Sequence, residues 1–193
     1  MGCLGRDIVA LFVADVAGHG ISAALYVALI HSLLQECGHL MGDSSALMAA
    51  VNARLCDRVP QVGLVTALAA SFDAAGGKVT YCSAGHPPAL LQLASSGHLQ
   101  QLPSTGIPLG VERGAQFDAA TLPLAPGDRF LAYTDGVTEI RTGPEKRLGV
   151  DGLVALLDGL RPVGRDHRLP ELYAALLRRS ATPAQDDDLT ILS

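Results

Sequence analysis

Tryptophan is absent from the 193 residues, and aromatic side chains make up only 4% of them, which leaves little with which to stack bases. Lys and Arg number 14 against 19 Asp and Glu, for a net charge of -5. The cations are scattered rather than striped, so the electrostatic footprint of a nucleic-acid binder is missing. The longest apolar stretch, ISAALYVALIHSLL at 21–34, is interrupted by Ser22, His31 and Ser32 and falls short of the ~20 residues that span a bilayer. No basic segment introduces an apolar one in the manner of a signal peptide. Four cysteines (Cys3, Cys37, Cys56 and Cys82) stand far apart with no C-x-x-C pair, which predicts reduced, mostly buried thiols in a cytoplasmic protein. Internal repeats and low-complexity tracts are lacking too.

What is present suits a cored globular domain. At 49% hydrophobic and 17% charged, a chain of this length is expected to bury roughly 70% of its unfolded surface. Residues 8–14 (IVALFVA) form a continuous apolar run of strand length that ends on Asp15. Residues 21–36 are apolar on nearly every face and stop before Gly38, which predicts a buried helix with a glycine C-cap. A second helix, N-capped by Asp43 or Ser44, runs to the break at Pro60. From 64 to 102 the texture changes to an antiparallel meander, with turns at Gly76-Gly77 and Ser95-Ser96-Gly97. Strands at 116–122 and 129–133 are joined by the turn LAPGD. Helices at 150–160 and 170–179, separated by a loop at 161–168, precede a closing strand LTILS. Strand, two helices, several hairpin strands, two helices and a strand predict an α+β fold and not a doubly wound βαβ sheet.

Three acidic spots share one grammar, a strand end carrying Asp beside Gly or another Asp. They are Asp15 in VADVAGHG, Asp135 in FLAYTDGVTE, and Asp186, Asp187 and Asp188 in AQDDDLTILS. Each alone has a plain reading: a turn into a helix, an Asp-Gly turn, a solvated charge run. Three carboxylates converging on one end of a layered core would repel one another unless a divalent cation neutralised them. Hard oxygen donors of this kind suit Mg²⁺ or Mn²⁺, and glycines around Asp15 let a main-chain carbonyl join the ligands. Zinc would need His31, Cys37 and His39, and no second ligand pair follows them.

VADVAGHGISAAL, VTALAASFD, KVTYCSAGHPPALL, GIPLGV, LAPGDRFLAYTDGVTE and DDLTIL resemble, in order and spacing, the SpoIIE/RsbU-type bacterial protein serine/threonine phosphatases of the metal-dependent PPM superfamily. The resemblance covers nearly the whole chain. It implies a four-layer α-β-β-α sandwich of two antiparallel sheets flanked by helix pairs, with a two-metal centre at one edge. It further implies that Asp15 bridges two Mn²⁺ or Mg²⁺ ions, that the Val16 carbonyl is a ligand, and that Asp135 and Asp187 hold one metal. Asp187 is selected because the family's last motif is Asp-Asp/Asn-x-Thr, matched here by Asp187-Asp188-Leu189-Thr190. For His19 a role as the acid that protonates the leaving group competes with a loop-shaping one, and the latter is expected, because His19 stands four residues after Asp15 where other branches of the superfamily place a histidine two residues after theirs. His86 in AGHPP reads as hairpin architecture.

The chemistry implied is hydrolysis of a phosphoserine or phosphothreonine monoester by a metal-activated water, two cations neutralising the phosphoryl oxygens and aligning attack. By the same resemblance the substrate is a phosphorylated anti-sigma-factor antagonist in a partner-switching pathway of sigma-factor regulation. A second function class stays open, a phosphatase-like module that binds the same partner with little or no turnover. Members of the family also carry a Gly-Gly-Asp stretch ahead of the VADVAGHG position. Upstream of Ile8 there is only MGCLGRD, and Asp7 would lie about 25 Å from Asp15 along an extended strand, too far to substitute. The expectation is a single, N-terminally shortened domain over 1–193 with a strand missing. An open sheet edge or a helix face would then offer a route to a homodimer.

Overall fold

The first ladder joins Gly2–Cys3 (β1) to Ile8–Val16 (β2), with Gly2 opposite Ala10 and Cys3 opposite Val9. This computed structural model describes residues 2–3, 8–18, 20–59, 64–160, 168–181 and 189–193. Asp15 and Val16 remain in β2, opposite Thr66 and Val65 of Val65–Asp73 (β3). The strand therefore runs two residues beyond the apolar stretch, and β1 covers part of an edge that the sequence left open. The chain forms two compact units, Met1–His86 with Pro103–Ala125 and Pro87–Leu102 with Pro126–Ser193.

The first unit holds Ile21–Glu36 (α1), Ser44–Arg58 (α2), Lys78–Ala84 (β4) and Ala120–Pro123 (β7). Its sheet runs β1-β2-β3-β4-β7, antiparallel throughout. Period-2 alternation sorts the side chains. Phe12, Ala14, Val65, Ala67, Ala69 and Cys82 face Leu33, Leu47, Met48, Val51 and Leu55 of the two helices, while Val13, Asp15 and Leu68 leave the other face. Asp43 caps α2 by accepting the Ala46 N–H at 3.0 Å, and the Ser44 hydroxyl instead reaches the Thr80 carbonyl at 3.4 Å. Two expectations for α1 are corrected. Ile30 and Leu33 are buried, whereas Ile21, Leu25 and Val27 are 82%, 67% and 57% exposed. A helix apolar on every side carries no mark of which part of it meets the core. Its end uses no left-handed glycine either, because Cys37 closes the last turn and Gly38–Leu40 continues as a 3₁₀ turn.

The second unit holds Ala89–Gln92 (β5), Leu99–Leu102 (β6), Arg129–Tyr133 (β8) and Ile191–Leu192 (β9), in the order β6-β5-β8-β9. With them stand Asp135–Thr138 (α3), Gly149–Gly159 (α4) and Arg168–Arg179 (α5). Leu90, Leu131 and Tyr133 pack on Val137, Leu153, Leu157, Leu172 and Leu176. The loop expected before α5 lies, for 161–167, outside the described residues. Among the described residues no helix is long and apolar enough to cross a membrane.

The meander is real as a set of strands but changes sheet between β4 and β5. Gly85 turns the chain at φ +66°, and Pro87 and Pro88 have no N–H with which to continue a ladder. The strands flanking LAPGD do not pair either: β7 returns to β4, with Pro123 opposite Lys78, and β8 joins β5, with Leu131 opposite Leu90. β7 is also shorter than the expected 116–122, beginning at Ala120. The α+β class with two antiparallel sheets and accompanying helices stands as expected.

Candidate active site

Asp15 is the polar residue near the end of the otherwise apolar β2. Phe12, Ala14 and Val16 pack on the helix side, and Asp15 emerges half-buried on the opposite face. The Ala17 N–H extends the ladder by one bond, to the Leu64 carbonyl at 2.8 Å. The chain then turns through Gly18 at φ +109° and reaches Gly20 at φ +79°, the residue preceding α1. A Cβ at either glycine would meet nothing within 4 Å, so glycine is required there for backbone conformation and not for space. That is the physical content of AGHG, although His19 itself lies outside the described residues.

On the same face, Thr66 stands opposite Asp15, and its Oγ1 is 3.2 Å from Nδ1 of His86. His86 follows a tightly fixed corner. The Gly85 N–H donates to Ser104 Oγ at 2.7 Å and to the Gly106 carbonyl at 3.0 Å, and a Cβ on Gly85 would sit 2.5 Å from the Pro108 ring. The GIPLGV segment is anchored beside it. Leu109 N–H donates to the Val65 carbonyl at 2.8 Å, and Gly110 N–H to Oδ1 of the buried Asn52 at 2.8 Å. The Asn52 amide donates in turn to the carbonyls of Glu112 at 2.8 Å and Arg113 at 3.3 Å. AGHPP and GIPLGV thus meet around β3, next to the position opposite Asp15. Sequence reading passed over Thr66 and Asn52, since only the strand register and the loop closure single them out.

Asp135 lies two residues past the end of β8. Thr134 is buried and clamped to the closing segment, its N–H donating to the Thr190 carbonyl and its Oγ1 accepting from the Thr190 N–H, both at 3.1 Å. Asp135 then opens α3 instead of an Asp-Gly turn. Its carbonyl accepts from the Glu139 N–H at 2.8 Å and from the Thr138 hydroxyl at 3.0 Å. Its exposed carboxylate accepts no hydrogen bond and joins no ion pair among the described residues. Asp186, Asp187 and Asp188 lie outside the described residues; Asp187 stands three positions ahead of Thr190 in the chain.

Short carboxylates at strand ends, one half-buried and one exposed, are hard and accessible oxygen donors that fit Mg²⁺ or Mn²⁺. The zinc alternative lacks a basis: Cys37 is buried in the helix-side core while His31 and His39 are exposed. Among the described residues no group of three or more His, Cys, Asp or Glu side chains stands together as a metal site.

The family model for Stage II sporulation protein E (SpoIIE) matches residues 5–193. The phosphoserine phosphatase RsbP of Bacillus subtilis (strain 168) is 32% identical over 133 residues, 67% of this chain and 33% of RsbP. The chain spans between 28% and 41% of the length of the curated relatives it matches. Among solved structures, the RsbU and RsbW domains of Rv1364c from Mycobacterium tuberculosis align with a TM-score of 0.74 at 29% identity, over 96% of this chain and 51% of that one. The PP2C phosphatase domain of SpoIIE from Bacillus subtilis, with a fragment of its regulatory domain, aligns at 0.81 and 18% identity, over 99% and 55%. RsbX in complex with magnesium aligns at 0.68 and 21% identity, over 98% and 81%. The fold is that of the PP2C phosphatase domains, and the chain belongs to the SpoIIE family.

Proposed function

We propose that this chain is a metal-dependent protein serine/threonine phosphatase that dephosphorylates a small regulatory protein, an anti-sigma-factor antagonist, in a cytoplasmic partner-switching pathway. The name of RsbP, a phosphoserine phosphatase, and the pairing of RsbU and RsbW domains in Rv1364c support that reading. The observation that carries it is the end of β8. The Thr134–Thr190 clamp and α3 occupy the backbone around Asp135, and its exposed carboxylate accepts no hydrogen bond among the described residues, at the start of α3 just past the end of β8. The clamp's partner, Thr190, stands three positions after Asp187 in the sequence.

In this reading Asp15, the Val16 carbonyl, Asp135 and Asp187 are the ligands of two Mn²⁺ or Mg²⁺ ions, as the family resemblance implies; the magnesium complex of RsbX supports a divalent metal. When bound, such ions supply an activated water and neutralise charge on the phosphoryl oxygens. Water adds to phosphorus, the seryl or threonyl oxygen leaves with a proton, and the products are inorganic phosphate and the unmodified side chain. The residues of the chain hold and orient, and no side chain acts as the nucleophile.

Phosphate release from a phosphoserine peptide, or from p-nitrophenyl phosphate, is expected to need added Mn²⁺ or Mg²⁺ and to stop on chelation. Undiminished turnover in excess chelator overturns the proposal. Asp15→Asn is expected to lose at least about 100-fold in turnover and Asp186→Asn far less; equal losses would refute the assignment of Asp187 over its neighbour. Tight binding of the phosphorylated partner without phosphate release at saturating metal would leave the competing reading, a binding module.

A further inference from the structure

The Thr66–His86 pair has no part in the chemistry described so far. Thr66 is the cross-strand neighbour of Asp15, so the two side chains leave one face with Cβ atoms about 4.5–5.5 Å apart. His86 is 2% exposed, and filling that volume does not need an imidazole, since a leucine would fill it without burying polar atoms. The ring is also aimed. The Gly85 corner, at φ +66° against the Pro108 ring and bonded to Ser104 and Gly106, delivers Nδ1 to 3.2 Å from the Thr66 hydroxyl.

We infer that His86 and Thr66 position Asp15, with the His86 Nδ1–H donating to Thr66 Oγ1 and the Thr66 hydroxyl proton directed at the Asp15 carboxylate. A threonine hydroxyl has one proton to give. If the ring accepts that proton, Thr66 has nothing for Asp15; if the ring donates, the hydroxyl rotor is set and its proton is available across the ladder. The carboxylate is then held in one orientation before any cation arrives. Partners of this kind, one step removed from a ligand, typically change metal affinity by about 10–100-fold. The inference rests on the reading of Asp15 as a metal ligand, and both residues are positioning residues.

Calorimetric titration of Mn²⁺ tests it, together with ¹H–¹⁵N spectra of the histidine rings in the metal-free protein. Thr66→Val and His86→Leu are each expected to weaken Mn²⁺ binding by about 10–100-fold. The double variant should be no weaker than the worse single one, because both changes remove the same contact. His86→Asn, which keeps an N–H donor near the place of Nδ1, is expected to regain most of the affinity, and the spectra should place a proton on Nδ1. Losses that add in the double variant, wild-type affinity in folded Thr66→Val, or a ring protonated on Nε2 alone would each overturn the inference. Thr66→Val exchanges only a hydroxyl for a methyl and decides the matter should His86→Leu not fold. Asp15→Asn separates the two levels. Unchanged Mn²⁺ binding in that variant removes Asp15 as a ligand and this inference with it; binding lost there but intact in Thr66→Val removes the positioning role alone.

Discussion

Asn52→Ala isolates the contact that ties the GIPLGV loop to α2. The side chain is 0% exposed, accepts from the Gly110 N–H at 2.8 Å, and donates to the carbonyls of Glu112 at 2.8 Å and Arg113 at 3.3 Å. Two well-formed neutral hydrogen bonds at about 1 kcal/mol each, with about half that for the longer one, give about 2.5 kcal/mol. The figure stays at the low end because Glu112 and Arg113 are exposed and water can take over their carbonyls. With a urea slope of about 2 kcal/mol/M, the unfolding midpoint should fall by about 1.2 M. Asn52→Asp should fall by a similar amount, because it keeps an acceptor for Gly110 but turns a carboxylate oxygen toward two carbonyls. Far-UV circular dichroism in urea reads the midpoint, and hydrogen exchange at the Gly110 amide reports the local consequence, faster exchange in both variants. A midpoint shift below about 0.3 M with unchanged Gly110 protection would refute the reasoning, since the loop would then hold its place without Asn52.

Gly85→Ala and Gly97→Ala form a matched pair, at φ +66° and +71°, but a Cβ meets the Pro108 ring at 2.5 Å in the first and nothing within 4 Å in the second. Both carry the left-handed cost of about 1–2 kcal/mol, and Gly85→Ala adds overpacking of about 1–3 kcal/mol; equal urea midpoints would refute the clash. The buried Tyr133 hydroxyl has no hydrogen-bond partner among the described residues, and burial pushes its phenol from 10.0 up to about 12. The neutral phenol is the form the fold favours, so its contribution is complete below pH 10 and is lost as the pH rises from 10 toward 12. Tyr133→Phe should abolish that part of the alkaline loss and be at least as stable as the wild type at pH 7; parallel stability curves for the two proteins from pH 9.5 to 11.5 would show the phenol to be unperturbed.

Much of this protein is legible along the chain, because extension, capping and turning are local properties. The continuous apolar run from Ile8 placed Asp15 at a strand end, Asp43 or Ser44 marked a helix start that Asp43 caps, and Gly76-Gly77 marked a hairpin; all three stand in the structure. The motif order was enough to identify the family. Partner choice is a different matter. Period-2 alternation tells which residues extend and which faces they offer, and carries no information on which strand a ladder will join. The left-handed corner at Gly85 against Pro108 sends β5 into the other sheet and lets β7 return to β4, and no local pattern distinguishes that corner from a hairpin turn. The same long-range closures bring Thr66 opposite Asp15, His86 onto Thr66, Asn52 under the GIPLGV loop and Thr190 onto Thr134. Those pairings join residues 20 to 58 positions apart. Their bonds exist only once the sheets have closed, so the candidate aspartates were visible in the sequence while the neighbours set around them were decided by the tertiary fold.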